Sequence, residues 1–159
     1  MLSSPTRVLK SVLGVLWRGA PARARRWGVW FVEPRFTVTV AAVIQNEAGQ
    51  VLLLKHVFRK GNGWGIPGGF IGAGENPQDA LRRELCEEVN LEIKDLEIAF
   101  ARTFKRPQQV EIVYRCRAAG KAEPQSIEIN ALAWFDPENL PADLPREQHK
   151  LIERALETS

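Results

Sequence analysis

Alternating apolar and polar residues mark the strands of this chain. Residues 36–44, Phe-Thr-Val-Thr-Val-Ala-Ala-Val-Ile, alternate and are rich in β-branched side chains, which predicts a strand. Residues 46–49 predict a turn, and residues 51–54 predict the returning strand of a hairpin. Further strands are predicted at about 96–104, 110–118 and 131–135.

Two helices are predicted among these strands. The first spans 77–89, with Asn76 as its N-cap, Pro77 as its first residue and Asp79 near the positive end of its dipole. Asn90 is expected to take a positive φ just beyond its end. A second, amphipathic helix at 147–157 closes the chain. This order of elements favours an α+β or a layered α/β/α fold.

A glycine-rich segment precedes the first of these helices. Residues 60–69 read Lys-Gly-Asn-Gly-Trp-Gly-Ile-Pro-Gly-Gly, which is too many glycines for any regular element. We therefore predict a loop in which the backbone approaches another group closely.

Residues 1–35 form a separate arm. They predict two short helical stretches broken at Gly19-Ala20-Pro21, with Pro34 ending the second. The apolar positions that would line these helices are Leu9, Val12, Leu13 and Leu16 in the first stretch, and Trp27, Trp30 and Phe31 in the second.

Charge also separates the arm from the rest of the chain. The net charge is +3, but residues 1–35 carry seven basic side chains and one acidic one, which leaves the remainder at about −3. A basic, apolar arm is typical of contact with an anionic membrane surface or with nucleic acid. The alternative, which we favour, is that these helices pack on the main domain or on the second subunit of a homodimer.

Length and composition indicate one ordinary globular domain. The chain has 159 residues, of which 45% are hydrophobic and 26% charged. Cys86 and Cys116 have no metal-type spacing and are expected to be reduced thiols. No apolar run reaches the roughly 18 residues of a membrane span, and the run at 12–17 is too short for a signal peptide. We therefore expect a cytoplasmic protein.

The candidate chemistry lies on the helix at 77–89. At about 100° per residue, Glu84, Glu87 and Glu88 fall within a wedge of about 100° beside an apolar stripe of Leu81, Leu85 and Val89. Like charges at this spacing repel each other, and a hard divalent cation such as Mg²⁺ would relieve that repulsion through carboxylate oxygens. Taken alone, the helix is still better interpreted as a solvated acidic face.

The wider segment changes that interpretation, because the three acidic residues stand at fixed spacing from further residues. The full set is Gly69, Glu75, Arg83, Glu84, Leu85, Glu87, Glu88 and Leu91. This segment resembles the Nudix box, whose pattern is Gly, five residues, Glu, seven residues, Arg-Glu, a large aliphatic residue, one residue, Glu-Glu, one residue, Gly and a final aliphatic residue. All eight positions match in register, and Asn90 stands where the family has Gly.

The resemblance covers about residues 36–157 and leaves out the arm. It implies a Nudix-like α/β/α sandwich with a mixed sheet, in a domain at 36–159 preceded by the helical arm at 1–35. It also implies hydrolysis of a phosphoanhydride in a nucleoside diphosphate linked to another group. The alternative function is a nucleotide-sensing module that binds without turnover. The enzyme is favoured because every acidic residue of the box is present.

The resemblance also implies roles for individual residues. The metal, Mg²⁺ or Mn²⁺, would be held by Glu84, Glu87, Glu88 and the carbonyl of Gly68. Glu84 and Glu87 are candidates for the general base, and Arg83 joins this catalytic set as a support. Outside the box, Glu128 lies in a predicted loop before a strand, which suits a site residue, so it is a candidate for the base or for an extra metal ligand. The alternative for Glu128 is an ordinary surface residue. Gly69 and Glu75 would support the loop structurally. The candidate phosphate contacts, which are otherwise surface charges, are Arg59, Lys60 and Arg102.

Overall fold

The computed structural model describes residues 17–25, 27, 33–57 and 63–157. The chain divides into two compact units, Met1–Arg35 and Phe36–Ser159. No helix among the described residues is long and apolar enough to cross a membrane.

In the first unit, residues 17–19 and 22–25 are helical and are interrupted at Ala20 and Pro21. The backbone N–H of Arg25 donates to the Pro21 carbonyl at 3.1 Å, which closes one helical turn after the break. Trp17 and Trp27 are exposed. Leu9, Val12, Leu13, Leu16, Trp30 and Phe31 lie outside the described residues. Packing of the arm on the domain or on a second subunit therefore stays a prediction.

The described residues of the second unit form one seven-stranded sheet. The strands are β1 (Thr37–Gln45), β2 (Val51–His56), β3 (Trp64–Gly65), β4 (Gly68–Phe70), β5 (Ile93–Phe104), β6 (Gln109–Ala118) and β7 (Ile129–Phe135). They follow the order β3-β2-β1-β6-β5, with β4 also paired to β1 and β7 to β2. Among the strand pairs of the described residues, β1 and β6 alone run parallel, so the sheet is mixed as expected.

Two helices pack on opposite faces of this sheet, α1 (Pro77–Val89) and α2 (Arg146–Glu157). Alternate residues of β1 supply the two faces. Val40, Ala42 and Ile44 lie in the core cluster under α1, and Ala41 and Val43 lie in the cluster under α2. The predicted α/β/α sandwich is confirmed.

Local signals place α1 where the sequence predicted it. The Asn76 side chain accepts a hydrogen bond from the Gln78 N–H, and Pro77 is the first helical residue. Leu81, Leu85 and Val89 are fully buried. Asn90 ends the helix in the left-handed conformation, at φ 48° and ψ 38°, and its N–H donates to the Cys86 carbonyl at 3.1 Å.

The prediction of a loop over residues 60–69 is wrong at residues 64–65 and 68–69, which lie in strands, and is confirmed at residues 63, 66 and 67. Gly65 pairs with Leu54, and Gly69 pairs with Val40, so this segment contributes two short strands. A Cβ on Gly68 would overlap the Val40 carbonyl oxygen. The glycines therefore serve close strand pairing. Residues 60–62 lie outside the described part of the chain.

The strand predicted at 96–104 begins earlier, because Ile93 and Lys94 also pair with β6. The register shifts after Lys94, and Asp95 has a φ of 54°. Such a bulge leaves residues unpaired and interrupts the regular alternation. The pattern of side chains therefore concealed the start of β5.

Substitutions at Asn90 test the helix end. Alanine should destabilise the fold by about 1 kcal/mol, because a left-handed conformation costs roughly that much for a residue with a Cβ. Glycine should match or exceed the stability of the wild-type protein. Thermal and urea denaturation of both variants would measure this. An Asn90→Ala variant as stable as Asn90→Gly would contradict it.

Candidate functional site

The guanidinium of Arg83 is the centre of the candidate site. It binds Glu75 through two parallel hydrogen bonds, from Nε to Oε1 at 2.8 Å and from Nη2 to Oε2 at 3.0 Å. Nη2 also donates to the Phe70 carbonyl at 3.0 Å. Glu75 Oε2 in turn accepts the Gly72 N–H at 2.7 Å. One side chain of α1 thereby holds the loop between β4 and α1 in place.

The same guanidinium holds two acidic residues of its own helix. Nη1 donates to Glu84 Oε1 at 2.9 Å and to Glu87 Oε2 at 3.4 Å. The Glu84 side chain is 18% exposed, whereas that of Glu87 is 61% exposed. Glu84 is therefore firmly positioned, and Glu87 remains accessible to solvent.

The Glu84 carboxylate lies directly against the backbone of Gly69. A Cβ on Gly69 would overlap all three atoms of that carboxylate. Glycine is therefore required here for a steric reason, and it brings a carboxylate beside the β4 backbone that contains the Gly68 carbonyl.

Glu88 is held on the inner side of the helix. Its Oε1 lies 3.9 Å from Nδ1 of His56, and both side chains are largely buried. Neither His56 nor this contact was singled out from the sequence. Alternation along β2 contained the signal, because Leu52 and Leu54 lie in the cluster under α1 and His56 continues the same face.

Hydrogen bonding from Arg83, followed by the bond from the Gly72 N–H, lowers the pKa of Glu75 to about 2. The same pairing with Glu75 and then Glu84 raises the pKa of Arg83 above its usual value. We call Arg83 together with the groups that it binds the Arg83 clamp. Its ion pair between Arg83 and Glu75 is fully charged across the physiological pH range.

The donor set suits a hard divalent cation, because carboxylate and carbonyl oxygens are the ligands that such ions prefer. Glu84, Glu87 and the Gly68 carbonyl belong to elements joined by the Arg83 clamp. Across the described ranges, no three His, Cys, Asp or Glu side chains already converge as a metal-binding group. Glu84 and Glu87 face Arg83, and Glu88 faces His56. The assignment of Glu84, Glu87, Glu88 and Gly68 as metal ligands stays a prediction.

The loop that carries Glu128 is tied to the end of α1. The N–H groups of Gln125 and Ser126 donate to the Glu88 carbonyl at 2.9 and 3.4 Å. The Glu128 carbonyl accepts the Val57 N–H at 2.8 Å, and the Glu128 side chain is exposed. Glu128 thus occupies the predicted position, in a turn directly before β7.

The three proposed phosphate contacts fall in different places. Arg102 lies on β5, where it pairs with Glu111 and stacks over the Phe104 ring at 4.8 Å. Arg59 and Lys60 lie outside the described residues.

Sequence reasoning also missed a cleft beside Gly68 and Gly69 that includes Gln109, Glu111 and Gln148. The available signal was limited to Gln109 and Glu111, which are polar residues on the same face of β6 as Val113, and Val113 is buried under α2.

Known proteins share this fold and this segment of sequence. A family model described as NUDIX domain matches residues 35–155. A MutT-like protein of Streptomyces ambofaciens is 32% identical over 110 residues, which cover 67% of this chain and 68% of that protein. An RNA pyrophosphohydrolase of Pseudomonas putida is 44% identical over 63 residues, or 40% of this chain and 38% of that protein. This chain therefore matches about two fifths of that relative's length.

Solved structures agree in fold. A putative nudix hydrolase family member from Chromobacterium violaceum superposes with a TM-score of 0.62 at 27% identity, covering 79% of this chain and 80% of that one. The NUDIX domain of Shewanella oneidensis NrtR, complexed with ADP ribose, gives a TM-score of 0.63 at 19% identity and covers 98% of both chains. The second likeness concerns the fold alone.

A pH titration of Glu75→Gln tests the clamp. The pKa of Glu75 is lowered from 4.5 to about 2 in the folded state. Its ionised form therefore stabilises the fold above the unfolded pKa, and this contribution is lost as the pH falls through the folded value. The difference in unfolding free energy between wild type and variant should be constant near neutrality. It should shrink between about pH 5 and about pH 3 in urea titrations. A difference that stays constant or grows over that interval would contradict the assignment.

Proposed function

The chain belongs to the Nudix family of pyrophosphohydrolases, and on that basis we propose that it hydrolyses a nucleoside diphosphate linked to another group with the help of Mg²⁺. The bond cleaved is the phosphoanhydride between two phosphorus atoms. The observation that carries this proposal is the Arg83 clamp. It holds the Glu84 carboxylate against Gly69, on the same helix as Glu87 and Glu88.

Members of this family generally use divalent metal ions, and the oxygen-rich donor set favours Mg²⁺, with Mn²⁺ as a substitute. We propose Glu84, Glu87, Glu88 and the Gly68 carbonyl as its ligands. When bound, the ion would neutralise charge on the phosphate oxygens and favour attack by water. The exposure of Glu87 supports its place beside solvent and substrate.

Glu84 is the base that the geometry favours. A general base must be positioned within reach of the proton it accepts. Arg83 binds Glu84 Oε1, and the Gly69 backbone packs against the same carboxylate. Glu84 would take the proton of the attacking water while Arg83 keeps its carboxylate oriented. Glu128, which is exposed on its turn, is the alternative base from outside the helix.

The nucleotide part of the substrate is supported by the relatives. One is an RNA pyrophosphohydrolase, and the Shewanella domain was solved with ADP ribose. ADP ribose is itself a nucleoside diphosphate linked to a second sugar. Phosphates of such a substrate would be met by basic residues, for which Arg59, Lys60 and Arg102 remain our candidates.

We also propose the cytoplasm as the compartment of this reaction. Cys86 and Cys116 are free cysteines, one exposed and one buried. Unpaired thiols are usual where the environment is reducing.

A substrate panel tests the proposed reaction. Purified protein with Mg²⁺ should release product from at least one of a set of nucleoside triphosphates, nucleotide sugars and dinucleotides. Phosphate release would be measured with and without a coupled phosphatase, and EDTA should abolish it. No product from any member would overturn the proposal. Tight nucleotide binding without product, unchanged in Glu87→Gln, would instead indicate a nucleotide-sensing module.

Variants then test the residue roles. Glu84→Gln should lower kcat roughly a hundredfold or more, because a positioned general base contributes on that order. Glu128→Gln should have a smaller effect. Glu92→Gln removes an exposed charge just beyond α1 and should keep the wild-type kcat. A larger loss in Glu128→Gln than in Glu84→Gln would transfer the base to Glu128.

A further inference from the structure

A polar cleft adjoins the candidate catalytic site on the α2 side of the sheet. It is lined by the backbone of Gly68 and Gly69, and by Phe70, Gln109, Glu111 and Gln148 among others. Gly69 also contacts the Glu84 carboxylate. Gly69 thus links the Glu84 carboxylate to this cleft, so a substrate whose phosphates lie at Glu84 can reach the cleft with its adjoining part.

Hydrogen bonds inside the protein fix the orientation of Gln109. Its Nε2 donates to Thr39 Oγ1 at 2.8 Å, and that hydroxyl donates onward to the Val110 carbonyl at 3.5 Å. Among the described residues, Gln109 Oε1 has no hydrogen-bond partner. Gln109 therefore offers an acceptor to a ligand.

Gln148 is oriented the other way round from Gln109, because its amide oxygen, and not its amide nitrogen, is bonded inside the protein. Its Oε1 accepts the backbone N–H of Ile66 at 3.3 Å, which ties α2 to the segment between β3 and β4. No acceptor for its Nε2 is found in the described part of the chain. Gln148 therefore offers a donor.

Glu111 supplies a second acceptor. Arg102 pairs with its Oε2 from the neighbouring strand, and Arg102 is itself held over the Phe104 ring. This leaves Oε1 unbonded within the residues that the structure describes. The Glu111 side chain is 16% exposed, so this oxygen is held in a largely buried position at the cleft.

The cleft thus offers one donor group and two acceptors, beside the exposed ring of Phe70. The pairing edge of guanine carries one acceptor, O6, and two donor groups, N1–H and the N2 amino group. The pairing edges of cytosine and uracil carry more acceptors than donors, and adenine presents one donor and one acceptor. Guanine is the complement of this cleft.

We propose that Gln109, Glu111 and Gln148 select a guanine base, with Phe70 stacking on it, in the nucleotide substrate of this enzyme. This inference rests on the proposed function for the position of the phosphates. Gln148 would donate to O6, and the two acceptors would bind N1–H and the N2 amino group. Aromatic side chains are regular stacking partners for bases.

Two readouts test this selectivity. The first is kcat/KM with Mg²⁺ for the four nucleoside triphosphates and the four nucleoside diphosphate glucoses, which differ only in base. The second is calorimetric binding of the four α,β-methylene triphosphates, in which a CH₂ group replaces the bridging oxygen. The guanine member of each set should be preferred roughly tenfold or more, which is the scale of one to two hydrogen bonds.

Gln148→Glu is the decisive variant, because a carboxylate still accepts the Ile66 N–H and loses the donor. It should remove roughly tenfold of the guanine preference in binding while leaving the melting temperature close to wild type. Glu97→Gln is the matched control. Glu97 also pairs with an arginine across β5 and β6 but lies outside this cleft, so its loss should leave base preference unchanged.

The outcomes separate this inference from the proposed function. Hydrolysis with equal preference for all bases would overturn the guanine assignment and retain the function. Guanine-selective binding without hydrolysis of any substrate would support the cleft assignment and overturn the function. Unchanged selectivity in Gln148→Glu, or no binding and no hydrolysis, would overturn the inference.

Discussion

The guanidinium of Arg83 joins the parts of the candidate site. It binds both oxygens of Glu75, the Phe70 carbonyl, and the carboxylates of Glu84 and Glu87. Strand β4, the following loop and helix α1 are thereby held in one arrangement. Arginine suits this position because its planar guanidinium donates several hydrogen bonds in different directions and stays charged. The network also supplies positive charge where acidic residues three apart on a helix would otherwise repel one another.

Close packing gives the clamp its effect. Leu81, Leu85 and Val89 anchor α1 in the core, and this sets the height of Glu84 above β4. Gly69 lets the Glu84 carboxylate approach the strand backbone, and Gly68 lets β4 pair tightly with β1. A reactive carboxylate is useful only when it is held close to its working position. The two glycines therefore shape the candidate site although they contribute no side chain.

The sequence predicted local features well and long-range contacts poorly. The bounds of α1, its Asn76 cap and the left-handed Asn90 all follow from signals within a few residues of each other. Alternation along β2 places His56 on the face under α1, but its contact with Glu88 depends on how β2 and α1 pack together, which no local pattern specifies. The short strands β3 and β4 form because distant partners accept glycine backbones. The cleft residues Gln109 and Gln148 depend on their bonds to Thr39 and Ile66, far away in the sequence.

The central claim is that the geometry of Arg83, beyond its charge, positions the hydrolytic carboxylates. The steady-state kcat of Arg83→Lys tests it most directly, since lysine keeps the positive charge but lacks the planar guanidinium with its several N–H donors. We expect kcat to fall roughly 10- to 100-fold, the usual effect of removing a residue that orients a metal-site ligand. Arg115→Lys, which alters the ion pair with Glu97 on the sheet, should retain wild-type kcat. A folded Arg83→Lys variant with wild-type kcat would contradict the claim.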